Sequence, residues 1–252
     1  MNKVVAITQA RVGSTRLPAK ILKEINGKTL LQIHLERISK ATLVNELRVA
    51  TTDEEGSDKI VEIADRLGIK FFKGSVDNVL DRFYQTALID KPDYIVRLTS
   101  DCPLIDPSII DTIIHRIIGT DYDYVSNTMI PTFPDGIDVE VFRFSALFRA
   151  VNEATLKSDH EHVTPYIWRN STVKGGSLFK SLNIYNDIDL SSERITVDTI
   201  EDLEVIKYLI EHLGDNKSFR DYVNFLQMNP QIRQKNIFHK RNEGYEKSLL
   251  KD

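Results

Sequence analysis

The amino-acid sequence predicts an α/β fold in which a mostly parallel sheet carries helices on both faces. Three observations predict it. Short apolar runs alternate with amphipathic helical stretches from Val4 to Ile118, in the order β-α-β-α-β-α-β-α. The connections are short, as expected for parallel strands joined by crossover helices. The strands end in polar residues, on the edge where such sheets bind ligands.

Val4-Val5-Ala6-Ile7 is apolar at every position, the mark of a strand buried on both faces. A polar loop with Gly13 and Pro18 follows. Leu30 to Ile38 has a helical apolar face. Leu47 to Ala50 is a second strand, running into Thr51-Thr52-Asp53. Lys59 to Leu67 is a second helix, stopped by Gly68. Ile69 to Phe72 is a third strand and Val79 to Ile89 a third helix. Tyr94 to Leu98 is a fourth strand ending in Thr99-Ser100-Asp101, and Pro107 to Ile118 is a helix with proline at its start. Beyond Gly119 the pattern loosens. Tyr124 to Asn127, Ile137 to Phe142 and Ile195 to Val197 read as strands. Ser145 to Glu153, His162 to Arg169 and Glu201 to Leu213 read as helices, the last capped by Thr199. Residues 215–252, rich in Asn, Lys, Arg and Gln, read as a helical appendage or a partly ordered tail.

The 252 residues suit one large domain or one domain with an appendage. With 41% hydrophobic and 28% charged residues the chain is an ordinary globular one. A net charge of −4 gives no broad field that would favour nucleic acid, so any basic site is local. The one cysteine, Cys102, excludes a disulfide framework and a cysteine-based zinc site. Met1 to Ala10 lacks the pattern of a signal peptide, and no apolar stretch approaches the ~20 residues that span a bilayer. The expectation is a cytoplasmic enzyme with neither nucleic acid nor membrane as partner.

Gln9-Ala10-Arg11-Val12-Gly13-Ser14-Thr15-Arg16-Leu17-Pro18-Ala19-Lys20 follows the first strand directly. Gly13 lets backbone approach an anion closely, Ser14 and Thr15 bring hydroxyls, and successive N–H groups can form an anion nest. Arg11, Arg16 and Lys20 can neutralise phosphate charge. The Walker spacing is absent. A solvated basic loop is the alternative.

Five further segments carry candidate chemistry. Asp101 lies just past a strand, where a carboxylate facing a triphosphate is a natural Mg²⁺ ligand, whereas Asp106 reads better as a helix cap. Asp198 ends another strand before a helix and is read equally well as a second metal ligand or as a cap. Asp77 or Asn78 reads as a cap of the third helix, and Asp81 and Arg82 as facing either a nucleotide or solvent. In Asp135-Gly136-Ile137-Asp138-Val139-Glu140-Val141, period-two alternation puts Asp138 and Glu140 on one face, as in a polar substrate pocket or an exposed edge strand. In Asp159-His160-Glu161-His162 the His-x-His spacing lacks the third ligand of a catalytic zinc site, which leaves a substrate-facing cluster or a helix start.

These motifs together resemble the cytidylyltransferase family that makes CMP-activated sugars, which includes the CMP-KDO and CMP-sialic acid synthetases, and most of all the branch named for the spore coat polysaccharide biosynthesis protein SpsF. The similarity runs from Gln9–Lys20 through Thr99–Asp106, Pro134–Phe142 and Glu161–Thr164 to Arg241–Ser248. One departure is Ser100, where that branch carries glycine. The resemblance implies a three-layer nucleotide-diphospho-sugar transferase fold, Rossmann-like and related to the GT-A fold, with a mostly parallel mixed sheet and a C-terminal helical appendage. It implies a domain over 1–214, with about 120–190 as an acceptor-binding and dimerisation insert, and a helical tail over 215–252. It implies CTP bound by Thr8, Gln9, Ala10, Arg11, Gly13, Ser14, Arg16, Lys20, Asn78, Arg82, Thr99 and Ser100. Mg²⁺ would be held by Asp101 and Asp198, and catalysis carried by Arg11, Lys20 and Asp101. A sugar-acid-like acceptor would face Asp135, Asp138, Glu140, His160 and His162, with CMP transferred to it and pyrophosphate released. A homodimer is the implied assembly. The rival readings are a GT-A-type glycosyltransferase, against which the missing Asp-x-Asp at Ser100-Asp101-Cys102 argues, and a catalytically silent nucleotide-binding module.

Overall fold

The computed structural model describes residues 2–14 and 16–252, so Thr15 of the basic loop lies outside the described residues. Val4–Gln9 (β1) is buried at nearly every position. Val4 and Ala6 face one apolar cluster, Val5 and Ile7 another. This is why the run is continuously apolar: both faces of a parallel strand are covered.

After β1 come the hairpin Glu24–Ile25 (β2) and Lys28–Thr29 (β3), helix Leu30–Ile38 (α1), Glu46–Thr52 (β4), Asp58–Arg66 (α2), Lys70–Gly74 (β5), Val79–Leu88 (α3), Tyr94–Thr99 (β6) and Pro107–Ile117 (α4). The second half holds Tyr124–Ser126 (β7), Glu140–Arg143 (β8), Phe144–Glu153 (α5), Lys157–His162 (α6), Pro165–Arg169 (α7), Ser181–Asn183 (β9) and Ile200–Leu213 (α8). Phe219–Met228 (α9), Pro230–Arg233 (α10) and Glu243–Leu249 (α11) complete the chain. The main sheet runs β5-β4-β1-β6-β8-β7-β9, with β8 antiparallel to both of its neighbours and every other pair parallel. Helices α1 and α4 pack on one face, α3 and α5 on the other. The strand order reverses between β1 and β6, which is where a sheet of this type opens a ligand crevice. Among the described residues no helix is long and apolar enough to cross a membrane.

The first half follows the sequence expectation closely, and the second departs from it in three places. Ile195 to Val197 is extended but not a strand. Ile195 N–H donates to Asp135 O at 2.8 Å and Val197 N–H to Asp101 O at 2.8 Å, so two separate loops share it and no ladder forms. Ile137 to Val139 precedes β8 rather than belonging to it, because the Asn127 side chain takes the place of a partner strand. It donates to Ile137 O at 2.7 Å and accepts from Val139 N–H at 2.9 Å. The helix expected over His162 to Arg169 is two helices, broken at Val163, whose φ of 72° is costly for a β-branched residue. Pro165 then starts α7.

Residues 215–252 are helical and tied to the body. Phe219, Tyr222 and Leu226 of α9 share a core with Val205, Ile206 and Leu209 of α8.

Candidate active site

The β1 and β6 ends lie side by side, with Gln9 opposite Thr99. The loop leaving β1 returns to the sheet edge in a 3-10 turn that begins at Lys20. Lys20 Nζ lies 2.8 Å from Asp198 Oδ1, 3.3 Å from Asp101 Oδ2 and 2.9 Å from Val197 O. Two distant segments thus converge on one ammonium. Burial works against the Lys20 charge, but Asp101 and Asp198 outweigh it and raise its pKa. Burial likewise pushes Asp101 up, yet the Lys20 charge and hydrogen bonds from Thr99, Lys20 and Cys102 bring it to about 2. Arg16 Nη2 lies 3.0 Å from Asp198 Oδ1.

The capping alternatives separate cleanly. Asp106 caps α4, accepting from Ser108 N–H at 3.0 Å. Thr199, not Asp198, caps α8, in a capping box with Asp202. Asp202 also accepts the Asp198 N–H at 2.9 Å, which fixes the Asp198 backbone and leaves its side chain to the cation cluster.

The rest of the nucleotide-side set is scattered around this point. Gly13 N–H donates to Glu54 Oε1 at 2.8 Å, and a Cβ on Gly13 would meet that carboxylate at 3.1 Å. Arg11 is exposed, Ser14 is partly buried, and Ala10 and Ser100 are buried. The Gln9 side-chain oxygen is buried without a partner among the described residues. The Thr8 hydroxyl faces away from the crevice, 2.9 Å from His34 Nε2, while His34 Nδ1 lies 2.8 Å from Cys102 O. The carbonyl requires a proton on Nδ1. Burial holds His34 down at about 4, which keeps the imidazole neutral and makes Nε2 the acceptor of the Thr8 hydroxyl. Asn78 caps α3, accepting from Asp81 N–H at 3.0 Å. Arg82 is not solvated. It is buried and bonded to Ser75 O, and burial plus the charge of Arg11 lower it to about 10.

Of the residues expected to face the acceptor, each carboxylate has an arginine. Asp138 pairs with Arg241, Asp135 with Arg194, and Glu140 with Arg97. Glu140 is buried and also takes the Tyr124 hydroxyl at 2.5 Å, so it is no exposed edge residue. Burial and the charge of Asp138 raise Asp135 to about 7, and burial raises Asp138 as well. Arg194 reaches both Asp135 and Asp198, the latter at 3.4 Å, which places this set beside the Lys20 cluster. His162 Nε2 lies 2.8 Å from Ser248 Oγ, and burial followed by the charge of Arg97 lowers it to about 4. His160 Nδ1 is 3.4 Å from Asn78 Oδ1.

A family model described as cytidylyltransferase matches residues 5–246. The chain belongs to the cytidylyltransferase family. It is therefore a CTP-dependent nucleotidyltransferase, and the glycosyltransferase reading falls away. The spore coat polysaccharide biosynthesis protein SpsF of Bacillus subtilis is 33% identical over 91% of this chain and 96% of its own. The 3-deoxy-manno-octulosonate cytidylyltransferase 2 of Hydrogenovibrio crunogenus is 34% identical over 162 residues, 62% of this chain and 57% of its own. A solved cytidylyltransferase from Leptospira borgpetersenii superposes with a TM-score of 0.87 at 35% identity, covering 95% of this chain and all of that one.

Among the described residues, no cluster of three or more acidic, histidine or cysteine side chains could hold a metal alone. The cytidylyltransferase does bring Asp101 and Asp198 onto one cation, Lys20 Nζ. One or two carboxylates plus phosphate oxygens and water suit Mg²⁺, so the donor set fits.

Sequence reasoning did not find Arg194, Arg97 or Glu54, and it gave Arg241 no role. Arg194 Nε donates to Asp202 Oδ1 at 2.8 Å, and its Nη2 lies 3.4 Å from Asp198 Oδ2. A lone arginine carries no periodic signal. The readable hint was the excess of acids at 135–140 and 198–202, which needs buried cations.

Proposed function

We propose that this cytidylyltransferase moves CMP from CTP to a sugar-acid-like acceptor, with Mg²⁺ as its metal and pyrophosphate as its leaving group. The observation that carries the reading is the meeting of Lys20, Asp101 and Asp198 at the switch point between β1 and β6. Arg11, Arg16 and Lys20 would hold the triphosphate, and Asp101 and Asp198 the metal. Bound there, Mg²⁺ supplies charge neutralisation at the phosphates and a lowered pKa for a coordinated hydroxyl. The main chain of Thr8 to Ala10 would read the base, with the unpartnered Gln9 oxygen beside it. The acceptor hydroxyl attacks the α-phosphorus, and the bond from that phosphorus to the bridging oxygen of pyrophosphate breaks. The protein's part is positioning and preorganised charge.

The names of the relatives support the acceptor class, since SpsF is named for polysaccharide biosynthesis and the Hydrogenovibrio enzyme for a sugar acid. We infer a role in surface polysaccharide biosynthesis, of which a spore coat is one case. We also infer a cytoplasmic homodimer in which about 120–190 serves acceptor binding and dimerisation and 215–252 forms a tail. The test is a pyrophosphate-release screen with Mg²⁺, each of four nucleoside triphosphates and a panel of sugar acids. Release is expected with CTP and at least one sugar acid. Equal release with ATP, or release only with uncharged sugars, would overturn the reading.

A further inference from the structure

The C-terminal segment places a carboxylate on the nucleotide side of the site. Glu243, the first residue of α11, faces Arg16 Nη1 through Oε2 at 3.2 Å, while Arg16 Nη2 faces Asp198. Two residues earlier, Arg241 holds Asp138 and donates to Phe133 O at 3.0 Å. Between them Asn242 has φ 61° and ψ 22°, in the left-handed region that asparagine tolerates better than most residues. A three-residue turn therefore joins the arginine expected on the triphosphate to the aspartate expected on the acceptor.

The rest of α11 is anchored. Ser248 Oγ donates to Glu161 Oε2 at 2.9 Å and lies beside His162. Tyr245 meets His162 and Trp168 edge-on, with ring centroids 5.4 and 5.6 Å away. Trp168 is the only tryptophan in the chain.

Lys20 and Arg16 face three carboxylates, Asp101, Asp198 and Glu243, and Arg194 also reaches Asp198 at 3.4 Å. A metal would take the two aspartates. Once phosphate oxygens claim Arg16, Glu243 is left without its cation and next to phosphate charge, and like charges at such range repel.

We propose that Glu243 is an internal anionic ligand of Arg16 which the triphosphate displaces, and that this release shifts the start of α11 where it borders the acceptor side. The proposal rests on Arg16 being a triphosphate residue. The test is calorimetric titration of CTP with Mg²⁺ into the full chain, Glu243→Gln, Arg16→Gln and the double variant, with Trp168 emission followed in parallel. Glu243→Gln should tighten CTP binding about two- to fivefold, the range of a partly exposed ion pair. That gain should vanish in the Arg16→Gln background, and CTP should change Trp168 emission in the unaltered chain. Unchanged or weaker binding by Glu243→Gln overturns the proposal, as does an equal gain in both backgrounds or a silent Trp168. If the unaltered chain does not bind CTP, the functional reading fails together with it. If that chain binds and Glu243→Gln gains nothing, only the proposal fails.

Discussion

The two sides of the candidate site, one expected to take the nucleotide and the other the acceptor, are built in opposite ways. On the nucleotide side one local loop brings the cations Arg11, Arg16 and Lys20, and remote segments bring the carboxylates Asp101 and Asp198. On the acceptor side one local segment brings the carboxylates Asp135, Asp138 and Glu140, and remote segments bring the cations Arg97, Arg194 and Arg241. The sets differ most at their extremes: Arg194 and Glu140 have side-chain exposures of 4% and 7%, against 33% for Arg16, while Lys20 at 15% lies close to Arg241 at 13%. A buried pair is a commitment of the fold, because losing one partner strands the other charge. A partly exposed pair can exchange its partner for a ligand. The acceptor side is therefore expected to carry stability and the nucleotide side chemistry.

The largest expected effects would break that division. Lys20→Ala and Asp101→Asn should each lower turnover by about 10²–10³-fold, the scale of losing one preorganised charge, with the thermal midpoint little changed. Steady-state pyrophosphate assays with parallel melting curves measure both, and near-normal turnover in either variant removes that residue from the mechanism. Arg194→Leu should do the reverse and cost about 3–5 kcal/mol in a urea titration, because it strands the fully buried Asp202 as well as Asp135. A loss below about 1 kcal/mol would show that the acceptor side is not a structural network.

A smaller effect separates the sides by pH. His34 and His162 are each held near 4 in the folded chain against about 6.5 unfolded. Unfolded histidines bind protons first, so this stability is full above about 6.5 and is lost as pH falls through about 4. For the wholly buried His34 the loss is about 3 kcal/mol over that window. His34→Asn should flatten the profile, and a curve as steep as that of the unaltered chain would count against the neutral, doubly bonded imidazole. The smallest expected change is at Asn78. Asn78→Ala should cost about 1 kcal/mol as a lost helix cap. A change in CTP affinity beyond twofold in the same variant would give Asn78 a nucleotide role as well.

The first half of the fold was readable because its information is local. β1 opens with a continuous apolar run, β4, β5 and β6 each hold a short apolar stretch, and each helix begins or ends on a cap or glycine. The second half was misread where side chains substitute for backbone, as Asn127 does beside Ile137 to Val139. The hairpin turn at Asn26-Gly27 was readable in principle, since both residues adopt the positive φ that this pair signals, but its strands are only two residues long.

By itself the sequence determined the parallel sheet, the basic loop after its first strand and the family motifs, because these rest on periodicity and on residues adjacent in the chain. Only the tertiary structure decided that Lys20 draws Asp101 and Asp198 together, that Arg82 and Glu140 are buried, and that Arg194 and Arg241 neutralise the acid-rich segment. The reason is that charge pairing acts through space. Lys20 and Asp198 are 178 positions apart in sequence and 2.8 Å apart in the fold, and no local pattern records that distance.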